Sequence, residues 1–125
     1  MLIVQNGTKY GFIGQNRLYI GRANHDLPAS PLANPFILGR DGAPFGDSEA
    51  ARLMVIEKFR KWLWPQIKQW QETGEMTKAM VALKDLAIAV KENQTVILTC
   101  WCKPEACHGD VIDSCVTWLI QEGLV

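Results

Sequence analysis

Thr95-Val96-Ile97-Leu98-Thr99-Cys100-Trp101-Cys102-Lys103-Pro104-Glu105-Ala106-Cys107-His108-Gly109-Asp110 is the stretch that decides the fold. Residues 95–101 form a run of β-branched and apolar side chains, which predicts a buried strand. It passes through a short loop into an amphipathic pattern that predicts a helix from about His108 to Glu122, with Gly123 as a left-handed cap. Three of the four cysteines and one of the two histidines fall within nine consecutive positions here. A strand that feeds a helix through a loop is the junction where α/β folds build ligand sites.

Working outward, the first twenty residues alternate short β-like runs with turn signals, and Asn6-Gly7 is a hairpin dipeptide because both residues tolerate positive φ. The expectation is an N-terminal β-hairpin followed by a strand at residues 18–21. Residues 23–46 hold four of the six prolines, which predicts a long irregular loop folded over a site. Asp47 then stands where a helix cap is expected. Ala51, Met54, Val55, Phe59, Leu63 and Ile67 recur at helical spacing behind it, and Pro65 should kink or restart the helix. A second helix is expected from about Met76 to Lys91.

Strand, helices, strand, helix in this order indicates an α/β fold, a small sheet in which strands 18–21 and 95–101 run parallel with the intervening helices as the crossover. The carboxyl ends of those strands then lie on one edge. The Gly21-Arg22 turn and the loop carrying Cys102, Cys107 and His108 should therefore face each other across a crevice.

Composition bounds the function. The chain has 125 residues, 48% hydrophobic and 21% charged, which fits one domain over residues 1–125 with one core. Thirteen basic residues balance thirteen acidic ones, so no global field draws the chain to nucleic acid or to an anionic membrane. No segment approaches the roughly 18 apolar residues of a membrane span, and the first residues lack signal-peptide character. A cytoplasmic protein with reduced thiols is expected. No Walker loop, no G-x-G-x-x-G and no deaminase pairing of H-x-E with P-C-x-x-C occurs, which disfavours a standard ATP or dinucleotide enzyme and the usual zinc deaminase and leaves any cofactor unknown.

The residues admit more than one chemistry. Cys107 and His108 at the start of a helix meet the positive end of its dipole, which predicts a lowered thiol pKa and suits a nucleophile, a redox-sensitive thiol or a donor to a substrate oxygen. Asp110, one turn in, either favours the dipole or serves as a general acid or base. Arg22 and Arg40 each follow a glycine and can fork onto a phosphate or carboxylate. Asn34 precedes Pro35, which extends it and leaves its amide either to read a ligand or to tie its own loop. Phe36 is a lid over the crevice or a plug into the core. Cys100 and Cys102 alternate about Trp101 and, with Cys107 and His108, also read as four soft ligands of a zinc site. Cys115, beside Val116 and Leu119, reads as core, and His25 and Asp26 as solvated. Trp62, Trp64 and Trp70 read as packing or as the contact of a homodimer.

Two blocks carry a family resemblance. Tyr19-Ile20-Gly21-Arg22 with Ser30-Pro31-Leu32-Ala33-Asn34-Pro35-Phe36, and then Cys100-Trp101-Cys102 through Cys107-His108-Gly109-Asp110-Val111-Ile112, resemble domain of unknown function 4326 of prokaryotes and their phages, over about residues 18–119. The second block is also similar, over a shorter span, to domain of unknown function 488. The resemblance marks the location of a site and implies no particular reaction.

The resulting expectation is a crevice that binds a nucleotide-like or other phosphate-bearing small molecule. Gly21, Arg22, Asn34, Phe36, Arg40 and Cys102 would bind it, and Cys107, His108 and Asp110 would supply any group-transfer or hydrolytic chemistry. The alternative is a metal-stabilised Cys/His module that serves another protein without catalysis.

Overall fold

A computed structural model describes residues 1–41 and 48–125. Three strands, β1 (Leu2–Asn6), β2 (Arg17–Tyr19) and β3 (Val96–Cys100), form a sheet in the order β1-β3-β2, with both pairings parallel. Among the described residues four helices accompany it: α1 (Gly7–Tyr10), α2 (Glu49–Thr73), α3 (Lys78–Lys91) and α4 (Gly109–Gln121). The α/β class and the parallel pairing of the second and last strands are as the sequence indicates. β3 is the central strand, and its carboxyl half, Leu98, Thr99 and Cys100, is buried.

The amino-terminal hairpin is corrected. Asn6-Gly7 opens the short helix α1, with the Asn6 side chain accepting a hydrogen bond from Thr8 N at 2.8 Å, and β1 pairs with β3 from Leu2↔Val96 to Asn6↔Cys100. Asparagine serves helix caps as readily as turns, and the parallel ladder to a strand ninety residues away decides between them. Asn6 Nδ2 also donates to Lys103 O at 2.7 Å, which ties β1 to the cysteine-rich loop.

Ser48 is the N-cap of α2, its Oγ accepting from Ala51 N at 3.2 Å; Asp47, the expected cap, lies outside the described residues. Pro65 neither ends nor restarts α2, which runs unbroken from Glu49 to Thr73. Proline removes one amide donor, but Phe59, Leu63 and Ile67 bury the same face on both sides of it, and that burial holds the segment helical. Thr77 caps α3 by accepting from Met80 N at 3.1 Å. Gly123 adopts the left-handed conformation expected after α4, with φ of 68°.

Helices α2, α3 and α4 pack on one another, and Ile20, Leu32, Phe59, Leu63, Met80, Leu83, Leu98, Ile112 and Leu119 fill the core between them and the sheet. Trp62, Trp64 and Trp70 pack against that core; Trp64 meets Trp118 edge-on at 5.2 Å between ring centroids. No helix among the described residues is long and apolar enough to cross a membrane.

Gly109 fixes how close α4 comes to the sheet. A Cβ there would fall 2.8 Å from Val4 Cγ1 and 3.0 Å from Ile20 Cδ1, so the helix start lies directly against β1 and the end of β2. The carboxyl ends of β2 and β3 and the start of α4 thus meet at one edge.

Candidate functional site

At that edge lies a cavity of about 130 Å³, bounded by the Gly21-Arg22 turn, the loop after it, the first turns of α2 and the loop from β3 to α4. The two blocks singled out in the sequence converge on it: Gly21, Arg22, Asn34 and Phe36 from one, Cys100, Trp101, Cys102, Cys107 and His108 from the other.

The first block is a set of ties. Tyr19 folds its ring across Gly21, where any Cβ would collide with the phenol, and its hydroxyl donates to Arg22 O at 2.6 Å. Trp101 Nε1 donates to the same hydroxyl at 2.9 Å, and Phe12 lies against the Trp101 ring at 4.1 Å. Trp101 is therefore fixed in place although 46% exposed. In the loop, Ser30 N donates to Gly21 O, Leu32 plugs the core, and Arg22 Nη1 donates to Asn34 O at 2.9 Å.

Asn34 lines the cavity with both ends of its amide already engaged. Its Oδ1 accepts from Phe36 N at 2.9 Å, and its Nδ2 donates to Val55 O at 3.1 Å. Of the two alternatives, the loop-tying one is observed: the amide braces the loop against α2 while Asn34 stays on the cavity wall. Phe36 is half-buried and forms a wall of the cavity rather than a core plug.

Two expected site residues lie elsewhere. Arg40 is exposed and pairs with Asp41 at 2.9 Å; it does not line the cavity, because the turn after Gly39 carries it outward. Asp110 also lies outside the cavity lining. It pairs with Lys103 at 2.8 Å and accepts from Cys107 N at 3.3 Å, so it fastens the loop to the helix start and is not placed for acid-base work. The sequence reading missed the apolar lining residues Leu38, Ile56 and Ala106 and one charged residue, Arg52. It enters from the second turn of α2, and its charge, with that of Arg22, favours the Cys102 thiolate. The available signal was a cation set beside the apolar stripe of Ala51, Val55 and Phe59.

The thiols do not behave as the helix-dipole argument predicts. Cys107 lines the same cavity wall as Cys100 and Cys102, and its interaction with those two sulfurs as the proton-holding partner, with burial, raises its pKa well above the ordinary thiol value. The lowered groups are the acceptors. Cys100 falls to about 6, chiefly through the Cys107 thiol and against burial, helped by the amides of Lys103 and Cys102; Cys102 falls to about 7 for the same first reason. The expected low-pKa thiol at Cys107 is thus corrected: two neighbouring sulfurs outweigh the helix terminus. Cys100 is 2% exposed, yet it belongs to this cluster and is not merely core filling. Cys115 is buried in α4, where desolvation pushes its thiol up to about 12.

His108 precedes α4 and is buried. Its Nε2 lies 2.9 Å from Ile20 O, a pure acceptor, so Nε2 carries the proton and Nδ1, 3.8 Å from Cys107 Sγ, presents its lone pair. Phe59 meets the imidazole edge-on at 4.9 Å. Burial lowers the His108 pKa from 6.5 to about 4, so the ring is neutral near neutrality. Since the unfolded chain takes up a proton near pH 6.5 and the folded one only near 4, the stabilisation is complete above pH 6.5 and is lost as the pH falls toward 4. We expect about 3 kcal/mol of acid destabilisation from this group. The difference in urea unfolding free energy between the parent and His108→Gln, followed from pH 7.5 to 4, measures it; parallel curves would show that the imidazole is not protected.

Among the described residues, no three histidine, cysteine, aspartate or glutamate side chains are arranged to hold a metal ion. The zinc reading therefore gains no support from the geometry, in which Cys100 Sγ meets Gln5 O at 3.5 Å and Cys107 Sγ accepts from Gly109 N at 3.4 Å.

The model of the family described as Domain of unknown function (DUF4326) matches residues 4–118. The match begins inside β1 and so takes in the amino-terminal strand that the two blocks alone leave out. A protein of Enterobacteria phage T4, described as an uncharacterized 12.4 kDa protein in the nrdA-td intergenic region, is 29% identical over 115 residues, covering 92% of this chain and 91% of its own. No solved structure matches the chain.

Proposed function

The chain belongs to the DUF4326 family, and from that premise and the geometry of its two characteristic blocks we propose that it binds a phosphate-bearing small molecule, nucleotide-like in kind, by its anionic end. One observation carries this reading: Arg22 and Arg52 both line a single cavity, together with Asn34, Phe36, the apolar side chains of the loop and α2, and the cysteine-rich loop with His108. Arginine suits a phosphate because its planar fork donates two parallel hydrogen bonds.

Size sharpens the reading. Whole drug-sized ligands occupy roughly 300–1,000 Å³, whereas this cavity measures about 130 Å³. It accommodates a phosphoryl group, and the rest of the ligand lies across the rim at Phe36 and Trp101. Arg22 is partly committed to the loop carbonyls of Asn34 and Phe36, so its role includes shaping the wall. Arg52 is then the cleaner handle on the anion.

Calorimetric titration with inorganic phosphate, with nucleoside monophosphates and with the uncharged nucleosides tests the proposal. Phosphate and the monophosphates should bind, the nucleosides should not, and Arg52→Ala should weaken binding at least tenfold, as expected for a lost charge-assisted bond of about 1.5–3 kcal/mol. Absence of binding by every phosphate-bearing probe, or unchanged affinity in Arg52→Ala, overturns it.

A further inference from the structure

The thiol cluster carries a chemistry of its own, whatever anion the cavity takes. We propose that Cys102 and Cys107 form a reactive dithiol in which Cys102 reduces a small hydroperoxide and Cys107 closes the disulfide.

Accessibility separates the three sulfurs. Cys100 and Cys107 are 2% and 1% exposed, while Cys102 is only half-buried and lies on the cavity wall. Reagent entering the cavity therefore meets Cys102 first. Thiolate, not thiol, is the nucleophile; the Cys107 thiol favours that form of Cys102 first, and Arg52 and Arg22, which line the same cavity, add their positive charge. The same charges stabilise the oxyanion that leaves when a peroxide bond breaks. A cavity of about 130 Å³ admits hydrogen peroxide or a short alkyl hydroperoxide and turns bulky oxidants away.

The second thiol is already in place. Cys107 lines the same small cavity as Cys102, and its thiol is the leading influence on the Cys102 pKa, so it serves as both the proton source and the neighbouring sulfur. In the first step the Cys102 thiolate attacks the terminal peroxide oxygen, an S–O bond forms, the O–O bond breaks, and sulfur loses two electrons to the peroxide. The departing alkoxide, or hydroxide from hydrogen peroxide, takes the Cys107 proton and leaves as an alcohol or water. In the second step the Cys107 thiolate attacks the Cys102 sulfenic acid, an S–S bond forms and hydroxide leaves, taking up the proton that Cys102 had released to solvent. Two thiols and one hydroperoxide thus give one disulfide, one alcohol and one water. Cys115, buried in α4 away from the cavity, is a control within the chain.

The reduced full-length protein is treated with stoichiometric hydrogen peroxide at pH 7, and thiols are mapped by alkylation and peptide mass spectrometry. Two of the four thiols should be consumed, with Cys102 joined to Cys107 and Cys115 left free. Cys107→Ser should accumulate a sulfenic acid at position 102 that dimedone traps. Cys102→Ser should consume peroxide at least tenfold more slowly, and Cys115→Ser should match the parent. As a readout that needs no variant, iodoacetamide should modify Cys102 of the parent before the other three cysteines. The proposal fails if the parent consumes peroxide no faster than free cysteine, if the disulfide maps to another pair, or if Cys102 is not the first site alkylated. None of these outcomes depends on phosphate binding, so the failure of either proposal leaves the other standing.

Discussion

Replacing Phe59 with alanine is expected to lower the unfolding free energy by about 4 kcal/mol and the melting temperature by roughly 15 °C. Phe59 is 0% exposed, lies 5.6 Å from the Trp62 ring and 4.9 Å from the His108 ring, and belongs to the stripe that holds α2 against the core. Removing it deletes the transfer energy of a whole phenyl ring and leaves a void, because Leu63, Ile67 and the facing helices are held by their own packing. The variant has a second signature. Phe59 is part of the apolar surround that keeps His108 neutral, so water entering the void should raise the imidazole pKa and flatten the acid dependence between pH 6.5 and 4. Phe59→Leu, which keeps most of the volume, should cost no more than about 2 kcal/mol and preserve that dependence. Urea unfolding at several pH values measures both effects. A loss under about 1 kcal/mol in Phe59→Ala would mean that the ring is not part of a close-packed core.

The architecture was legible where local pattern and tertiary need coincide. Residues 95–101 are a continuous run rich in β-branched side chains and too short for a buried helix, and the loop that follows leads to a helix start, so β3, its loop and α4 were legible in the chain. The Tyr19-Ile20-Gly21-Arg22 turn was legible for a similar reason, with the glycine explained by the Tyr19 ring that crosses it. At the amino terminus the local signal was ambiguous, since Asn6-Gly7 serves both a turn and a cap, and the choice is made by pairing with β3. Pro65 misled because propensity is a local cost, and the buried face of α2 exceeds it.

The site divides along the same line. Its location could be read because both blocks end strands at one edge of a parallel sheet, a consequence of topology. The chemical roles could not, because they depend on side chains brought together from distant positions. The dipole argument at Cys107 was sound for an isolated helix and failed once Cys100 and Cys102 stood within reach of its proton. Arg52 reaches the cavity by a rotation of α2 that periodicity leaves undetermined within a few tens of degrees, whereas Arg40, equally suggestive beside its glycine, turns outward to Asp41.

Asn34→Asp is expected to destabilise the fold by about 4 kcal/mol at pH 7 and to abolish anion binding in the cavity. Asn34 is buried, and the two ends of its amide face groups of opposite character: a backbone amide at Phe36 and a backbone carbonyl at Val55. A carboxylate satisfies the first and repels the second. It also places an anion inside a cavity proposed to hold one, next to the Arg22 guanidinium that would otherwise face the ligand. Attraction to that arginine offsets part of the desolvation and none of the lost Val55 bond. The sign of the pH dependence identifies the cause. Burial beside a carbonyl raises the folded-state pKa of the new carboxyl above its unfolded value near 3.9, so the penalty is fully present above the raised pKa and shrinks as the pH falls toward 3.9, where the protonated acid can donate to Val55 O. His108 lowers the stability of both proteins over part of the same range and cancels in the difference, so the two unfolding curves should converge on acidification through the new carboxyl alone. Asn34→Ala, which removes both bonds and adds no charge, should show a smaller loss that does not change with pH. If Asn34→Asp retains parental stability at pH 7, or if its deficit is independent of pH, the brace between the loop and α2 is not what holds the cavity open.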